Sequence, residues 1–184
     1  FPNGIEAEPF YQHRVADVPG NVRTAKIEML KGQRQIVGGD LVTLLYTAQL
    51  AAISQDPWFS RVQSLECADY VALDLAPSEG TRFSEVLTVA RAVRDELDTL
   101  GVAGFPKTSG ASGLHIYIPL PPDTPYEAGL LFCQIVATVV AQKHPKLATV
   151  ERRVGARGRL VYVDYLQNIL GKTLATAYSA RASA

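Results

Sequence analysis

Tyr70-Val71-Ala72-Leu73-Asp74-Leu75-Ala76 is the stretch whose reading decides the fold. Val71, Leu73 and Leu75 alternate with Ala72, Asp74 and Ala76, so a strand over 70–76 sends three aliphatic side chains to one face and a carboxylate to the other. Pro77-Ser78-Glu79-Gly80 ends that strand. Downstream, Phe83, Val86, Leu87, Ala90, Val93, Leu97 and Leu100 recur at helical spacing, which predicts an amphipathic helix over 82–100 stopped by Gly101. Residues 103–107 read as a strand, 108–113 as a Gly/Ser turn and 114–120 as a strand in which Leu114, Ile116 and Ile118 oppose His115 and Tyr117. Pro121-Pro122 breaks the chain, an apolar helix covers 126–142, and a last strand over 160–164 sets Val161 and Val163 against Tyr162 and Asp164. The order β-α-β-β-α-β predicts an α+β, ferredoxin-like (RRM-like) palm: a four-stranded antiparallel sheet with both helices on one face.

The first third carries weaker signals. Residues 23–29 and 35–38 read as short strands, 40–52 as a helix with Asp40 as N-cap, and Asp56-Pro57-Trp58 as a turn with an aromatic anchor. We divide the chain into an N-terminal α/β extension, 1–66, and the palm, 67–184, of one domain. It opens on Phe1 without methionine and stops at Ala184, and we read both ends as cut from a longer polypeptide.

Composition narrows the class. Of 184 residues, 47% are hydrophobic and 20% charged, the mixture of a globular protein. No apolar run approaches the ~18–20 residues of a membrane helix, and no signal peptide is present, so a cytoplasmic location without membrane partners is expected. Cys67 and Cys133 stand alone without CxxC spacing, which argues against a zinc site and favours buried thiols. His13 and His144 show no ligand spacing and read as surface residues. Eighteen basic side chains balance eighteen acidic ones, so the total lacks the basic footprint of a nucleic-acid binder. The balance is uneven along the chain, because acids crowd the first palm strand and helix while the last forty residues are basic. The expectation is that the helix acids lie behind the sheet and the arginines gather on its exposed face.

Alternation carries the site. The first and last palm strands are neighbours in this topology, so Asp74 and Asp164 meet on the face away from the helices, beside His115, Tyr117 and Tyr162. Two carboxylates brought together favour a divalent cation. Lys107-Thr108-Ser109-Gly110-Ala111-Ser112-Gly113 is a small-residue turn suited to phosphate oxygens, without the spacing of a P-loop. Arg152, Arg153, Arg157 and Arg159 precede the Asp164 strand, and arginine forks grip phosphate bidentately. Two acids for metal, with lysine, serines, histidine and arginines for polyphosphate, are the set needed for two-metal phosphoryl or nucleotidyl transfer. Each element also has a plainer reading: solvated outward Asp residues, an unliganded hairpin, a basic surface loop.

The segments Asp74-Leu75-Ala76-Pro77, Lys107 to His115, Val163-Asp164-Tyr165-Leu166-Gln167-Asn168 and Gly171-Lys172-Thr173-Leu174-Ala175, with Tyr178-Ser179-Ala180-Arg181, resemble the polymerase domain of bacterial DNA ligase D, in the archaeo-eukaryotic primase superfamily. Phe10-Tyr11-Gln12-His13 and Pro57-Trp58-Phe59-Ser60-Arg61 extend the resemblance over nearly the whole chain. It implies a primase-polymerase fold and a template-directed nucleotidyltransferase that fills or extends DNA ends in non-homologous end joining, often with ribonucleotides and manganese. By motif, Asp74 and Asp164 would be the catalytic metal ligands. Lys107, Ser109, Ser112, His115, Arg157 and Arg181 would line the nucleotide site, with Gln167 and Asn168 in support. Partners implied are DNA ends, nucleoside triphosphates, fused ligase or nuclease domains, a Ku-type end-binding protein, and a nucleoid setting in the bacterial cytoplasm.

Three positions depart from the family pattern. Ala76 stands where a second motif acid is usual, on the same face as Asp74, and Glu79 in the following turn is the nearest substitute. Ser112 stands where lysine is frequent, and Asp56 where histidine often precedes Pro-Trp. An inactive DNA-end or nucleotide-binding module of the same fold is therefore the competing expectation. An RNA-binding module of the RRM kind is a poorer one, since Tyr117 and Tyr162 only partly replace its paired aromatics.

Overall fold

The computed structural model describes residues 1–12 and 17–181, so His13 lies outside the described residues. The palm strands form where the alternation predicts them. β3 (Tyr70–Pro77), β4 (Phe105–Thr108), β5 (Leu114–Pro119) and β7 (Val161–Asp164) assemble in the order β4-β5-β3-β7, antiparallel throughout. This is the ferredoxin-like arrangement. A fifth strand, β6 (Ala148–Thr149), joins the edge parallel to β7. Two residues are too few to show alternation, which is why the sequence does not announce it. Before the palm, β1 (Thr24–Ile27) and β2 (Gln33–Ile36) make a separate hairpin.

Helices α2 (Phe83–Thr99) and α3 (Tyr126–Lys143) cover one sheet face. Between them and the sheet lies the main core: Val71, Leu73, Leu75, Leu114, Ile116, Ile118, Val161 and Val163 meet Val86, Val93, Leu97, Val136 and Val140. Each such side chain contributes about 1.5–3 kcal/mol on leaving water. α2 starts at a capping box in which the Glu85 carboxylate accepts the Arg82 amide at 2.8 Å. α1 (Leu41–Gln49) begins at Asp40, whose carboxylate accepts from the Thr43 amide at 2.7 Å, as expected of an N-cap.

The second face corrects the expectation of an open sheet. Phe59, Ala68, Ala72 and Tyr126 form a smaller core there, joined by Tyr70, Tyr117, Leu170 and Leu174. The aromatic anchor of the N-terminal part is thus Phe59, 1% exposed, and not Trp58. Ala72 supplies the reason: a methyl among the outward positions leaves room for Phe59 and the C-terminal segment to settle on the sheet. That segment is pinned by Asn168, which is fully buried. Its Oδ1 accepts from the Ala72 amide at 2.7 Å, and its Nδ2 donates to the carbonyls of Ala72 and Tyr165, both at 2.8 Å.

The acidic face of α2 does lie behind the sheet, where Glu96 pairs with Lys143 at 2.7 Å and Arg94 with Asp95 at 2.7 Å. Both cysteines are free, and burial pushes the Cys133 thiol up to about 12.

Asn168→Ala strands both backbone groups of Ala72 without their partner. It is expected to cost about 2–4 kcal/mol in urea denaturation. A loss under ~1 kcal/mol would show that water satisfies those groups instead.

Candidate functional site

Register, not sequence proximity, assembles the site. Lys107 pairs with His115, His115 with Asp74, and Asp74 with Asp164, so one row crossing β4-β5-β3-β7 carries all four side chains on the second face. Ala76 is one pair further along the same face, opposite Tyr162. The Ser109–Gly113 turn closes over the end of this row. Ser109 Oγ accepts from the amides of Ala111 at 3.2 Å and Gly113 at 3.1 Å, and the Ser109 amide donates to the Gly113 carbonyl at 3.0 Å. With two amides on its oxygen, the Ser109 hydroxyl proton is left to point away from the turn. Gly113 is required here, because a Cβ would run into the Leu75 carbonyl oxygen.

A cavity of about 280 Å³ opens beside the row, lined by Asp56, Asp74, Ala76, Ser109, Ser112, His115 and Arg181 among others. Asp74, Ser109, Ser112, His115 and Arg181, all expected from the sequence, thus converge. Lys107 sits behind the wall, its Nζ donating to the Ala175 carbonyl at 3.2 Å and facing His115 Nδ1 at 3.2 Å. Because an ammonium group only donates, His115 Nδ1 must accept and Nε2 carries the hydrogen, 3.7 Å from Asp74 Oδ1. Burial, then the charges of Lys107 and Arg181, hold the His115 imidazole down at about 4, so it is neutral near pH 7. Burial and Arg181 lower Lys107.

Asp164 is anchored. Its Oδ1 accepts from the Leu166 amide at 2.8 Å and the Tyr162 hydroxyl at 3.2 Å, and its Oδ2 from Gln167 Nε2 at 3.0 Å. Gln167 therefore orients a carboxylate. Asn168 presents nothing to the cavity: its buried amide holds the backbone of β3 two residues before Asp74. Arg157 is also occupied. Its guanidinium stacks on the Tyr162 ring at 3.7 Å and donates to the carbonyls of Glu151 at 2.8 Å and Arg152 at 2.7 Å. Arg159 donates to the Gly80 carbonyl at 2.7 Å. Of the arginine run, then, Arg157 reaches the second face and Arg159 secures the turn after β3. Glu79 is exposed in that turn and does not line the cavity.

Sequence reasoning marks Asp56 only as a departure from the family pattern, not as a site residue, and does not reveal Ala175 as a hub. The Ala175 carbonyl accepts from both Lys107 and the Tyr117 hydroxyl, the latter at 2.7 Å. The signal for Asp56 was its place beside Pro57-Trp58; backbone acceptors such as Ala175 leave none.

Burial, then repulsion from Asp164, pushes Asp74 up to about 6, with Lys107 pulling the other way. No hydrogen-bond donor among the described residues satisfies its carboxylate. An underprovided acid opposite an anchored one suits an oxygen-seeking divalent cation, and magnesium commonly takes one or two carboxylates and completes its shell with water and phosphate oxygens. Among the described residues no three His, Cys, Asp or Glu side chains converge in ligating geometry. Asp74 and Asp164 would offer one cation two carboxylates, and among the described residues there is no third carboxylate of the kind a bridged pair of ions would use.

A ferredoxin-like palm with paired acids on its central strands, beside a Ser/Gly turn, defines a protein of the primase-polymerase class. The comparisons agree. The family described as "LigD, primase-polymerase domain" matches residues 1–184, and the chain belongs to it. It is 33% identical over 184 residues to the Bifunctional non-homologous end joining protein LigD of Bacillus subtilis, covering 98% of this chain and 29% of that protein. It is 32% identical over 191 residues to the Multifunctional non-homologous end joining DNA repair protein LigD of Mycobacterium tuberculosis, covering 98% of this chain and 25% of that one. Among solved structures, the Polymerase Domain from Mycobacterium tuberculosis Ligase D in complex with DNA superposes with a TM-score of 0.87 at 31% identity, over 99% of this chain and 67% of that chain. The chain thus spans less than a third of the curated relatives it matches.

The raised Asp74 yields a signed pH dependence. Below the ordinary 3.8 the carboxyl is neutral in both folded and unfolded states and has no effect. Between 3.8 and about 6 the folded state keeps a proton that the unfolded state releases, so stability falls as pH rises through this window. Asp74→Asn removes the cost. Its advantage over wild type in metal-free urea denaturation is expected to grow from near zero at pH 4 to about 2 kcal/mol at pH 7.5. An advantage independent of pH would contradict the assignment.

Proposed function

We propose that the chain is a template-directed nucleotidyltransferase that extends or fills DNA ends in non-homologous end joining. What carries this reading is family membership together with the Lys107–His115–Asp74–Asp164 row beside the Ser109–Gly113 turn. Asp74 and Asp164 would hold Mn2+ or Mg2+. Such an ion, when bound, neutralises charge on the triphosphate and on the attacking 3′-oxygen. The protein's own groups do the remaining work. The outward Ser109 hydroxyl, Ser112 and the Arg181 guanidinium would take phosphate oxygens. Gln167 and the Leu166 amide keep the Asp164 carboxylate in one orientation. Lys107 sets the His115 tautomer, which turns Nε2–H toward Asp74 at 3.7 Å, and the Lys107 charge favours the ionised form of that carboxylate against burial and Asp164. Arg157, released from the Glu151 and Arg152 carbonyls, would add a further phosphate contact.

Partners follow from the relatives. One neighbour is described in complex with DNA, and the curated relatives are named as bifunctional or multifunctional end-joining proteins. We extend this to DNA ends and nucleoside triphosphates, to fused ligase or nuclease domains and to a Ku-type end-binding protein. No helix among the described residues is long and apolar enough to cross a membrane, and we place the protein at the nucleoid in the bacterial cytoplasm.

One observation favours a second reading. Ala76 contributes a methyl where a third carboxylate would complete the metal set, which fits a module that binds nucleotide or DNA ends without turnover. Primer extension on a gapped or overhanging duplex with manganese separates the two. The polymerase reading expects incorporation that Asp74→Ala abolishes and Ala76→Asp raises at least about tenfold. Salt-sensitive DNA binding without extension, by wild type and by Ala76→Asp alike, would leave the binding module standing.

A further inference from the structure

In the cavity wall Arg181 is paired with Asp56, a carboxylate to which the proposed chemistry gives no role. Ser54 Oγ donates to the Asp56 carboxylate, 3.1 and 3.0 Å from its two oxygens, and accepts from Arg181 Nη1 at 2.9 Å. Arg181 Nη1 also lies 3.7 Å from Asp56 Oδ1. The Asp56 side chain is 11% exposed and that of Arg181 33%, so the carboxylate is largely withdrawn from solvent while the guanidinium stays partly open to it. Arg181 is aimed as well as paired. Its aliphatic stem crosses Gly110, where φ is +79° and a Cβ would collide with it. The Thr176 amide donates to the Gln55 carbonyl at 3.0 Å, and the Gln55 amide to Ser179 Oγ at 2.8 Å, so the segments bearing both charges are zipped together.

Charge counting gives the pair its significance. Among the described residues lining the cavity, Asp56 and Asp74 are carboxylates and Arg181 is the one permanent cation. A polyphosphate entering this cavity meets an arginine that is already neutralised and a second carboxylate beside it. Guanidinium pairs as readily with phosphate as with carboxylate, and in the same forked geometry, so the two anions compete for one group.

We propose that Asp56 is a built-in counter-ion that a polyphosphate ligand must displace from Arg181, which makes it a specificity-determining residue that weakens occupancy by phosphate alone. Ligands that gain contacts beyond their phosphates overcome the competition; free polyphosphate, with no such contacts, overcomes it poorly. The proposal rests on the reading of the cavity as a triphosphate site.

The test is calorimetric titration of the whole chain with inorganic tripolyphosphate in magnesium buffer, for wild type, Asp56→Asn, Arg181→Gln and the double variant. Asparagine keeps the shape and the Ser54 hydrogen bond while removing the charge; Asp56→Ser is the second neutral variant should asparagine disturb folding. Both neutral variants are expected to bind about fivefold tighter than wild type, and the gain is expected to vanish when Arg181 is glutamine. Unchanged or weaker binding would overturn the proposal, since Asp56 would then do no more than aim Arg181. If neither tripolyphosphate nor a nucleoside triphosphate binds wild type or the neutral variants, the triphosphate reading itself fails and takes this inference with it. Binding by wild type that is indifferent to Asp56 removes this inference alone.

Discussion

Asp74 faces His115 on one side and Asp164 on the other because β3 is held in a single register between β5 and β7. Side chains on a strand alternate with period two, so a one-residue slip of β3 would turn Asp74 into the helix-covered core and bring Leu73 and Leu75 out of it. The main core is apolar throughout and would strongly resist a carboxylate. The same slip would separate Asn168 from the Ala72 backbone. Hydrophobic burial on one face thus enforces polar convergence on the other, and the four-residue row follows from a constraint that involves none of its members.

The second face is divided between packing and chemistry. Phe59, Tyr126, Leu170 and Leu174 cover its Ala72 half, while the half carrying Asp74, His115 and Ala76 borders the cavity. The segment after β7 serves both halves. Asn168 pins it to β3, the Ala175 carbonyl ties it to Lys107 and Tyr117, and Arg181 lies against the Ser109–Gly113 turn. Burial of the row has an electrostatic consequence: Asp74 is harder to ionise and His115 harder to protonate than either would be in water. Such shifts are common where charge is to be supplied by a ligand, here a cation for the acids and phosphate for Arg181. The neutral total charge is no obstacle to a polyanionic partner, because attraction depends on which charges remain unpaired locally.

Much of this was legible in the residues. Alternation in 70–76, 114–120 and 160–164 located three of the palm strands, sorted their faces and brought Asp74 beside Asp164. Helical periodicity placed α2 and α3 within a residue or two of their observed ends. The Ser/Gly turn is readable from its residues as a phosphate site, and Arg181 through the family resemblance; both line the cavity. Less legible were features with no periodic signature: the two-residue β6, the choice of Phe59 over Trp58 as anchor, and the Asp56–Arg181 pair, whose partners are 125 positions apart. Arg157 shows the limit from the other side. Its motif suggested a phosphate ligand, but its donors go to neighbouring carbonyls and its plane to Tyr162.

The sequence by itself determined the ferredoxin-like order, the two faces of the sheet and the carboxylate pair, because side-chain period is a local property that survives without tertiary information. It also determined that residue 76 would offer a methyl beside that pair. Only the tertiary structure decided that the second face is half covered, that Asn168 clasps a backbone instead of facing the cavity, and that Arg181 already has an anionic partner. Those outcomes depend on which segments far apart in the chain come to rest on the same few square ångströms of sheet, and no local pattern encodes that contact.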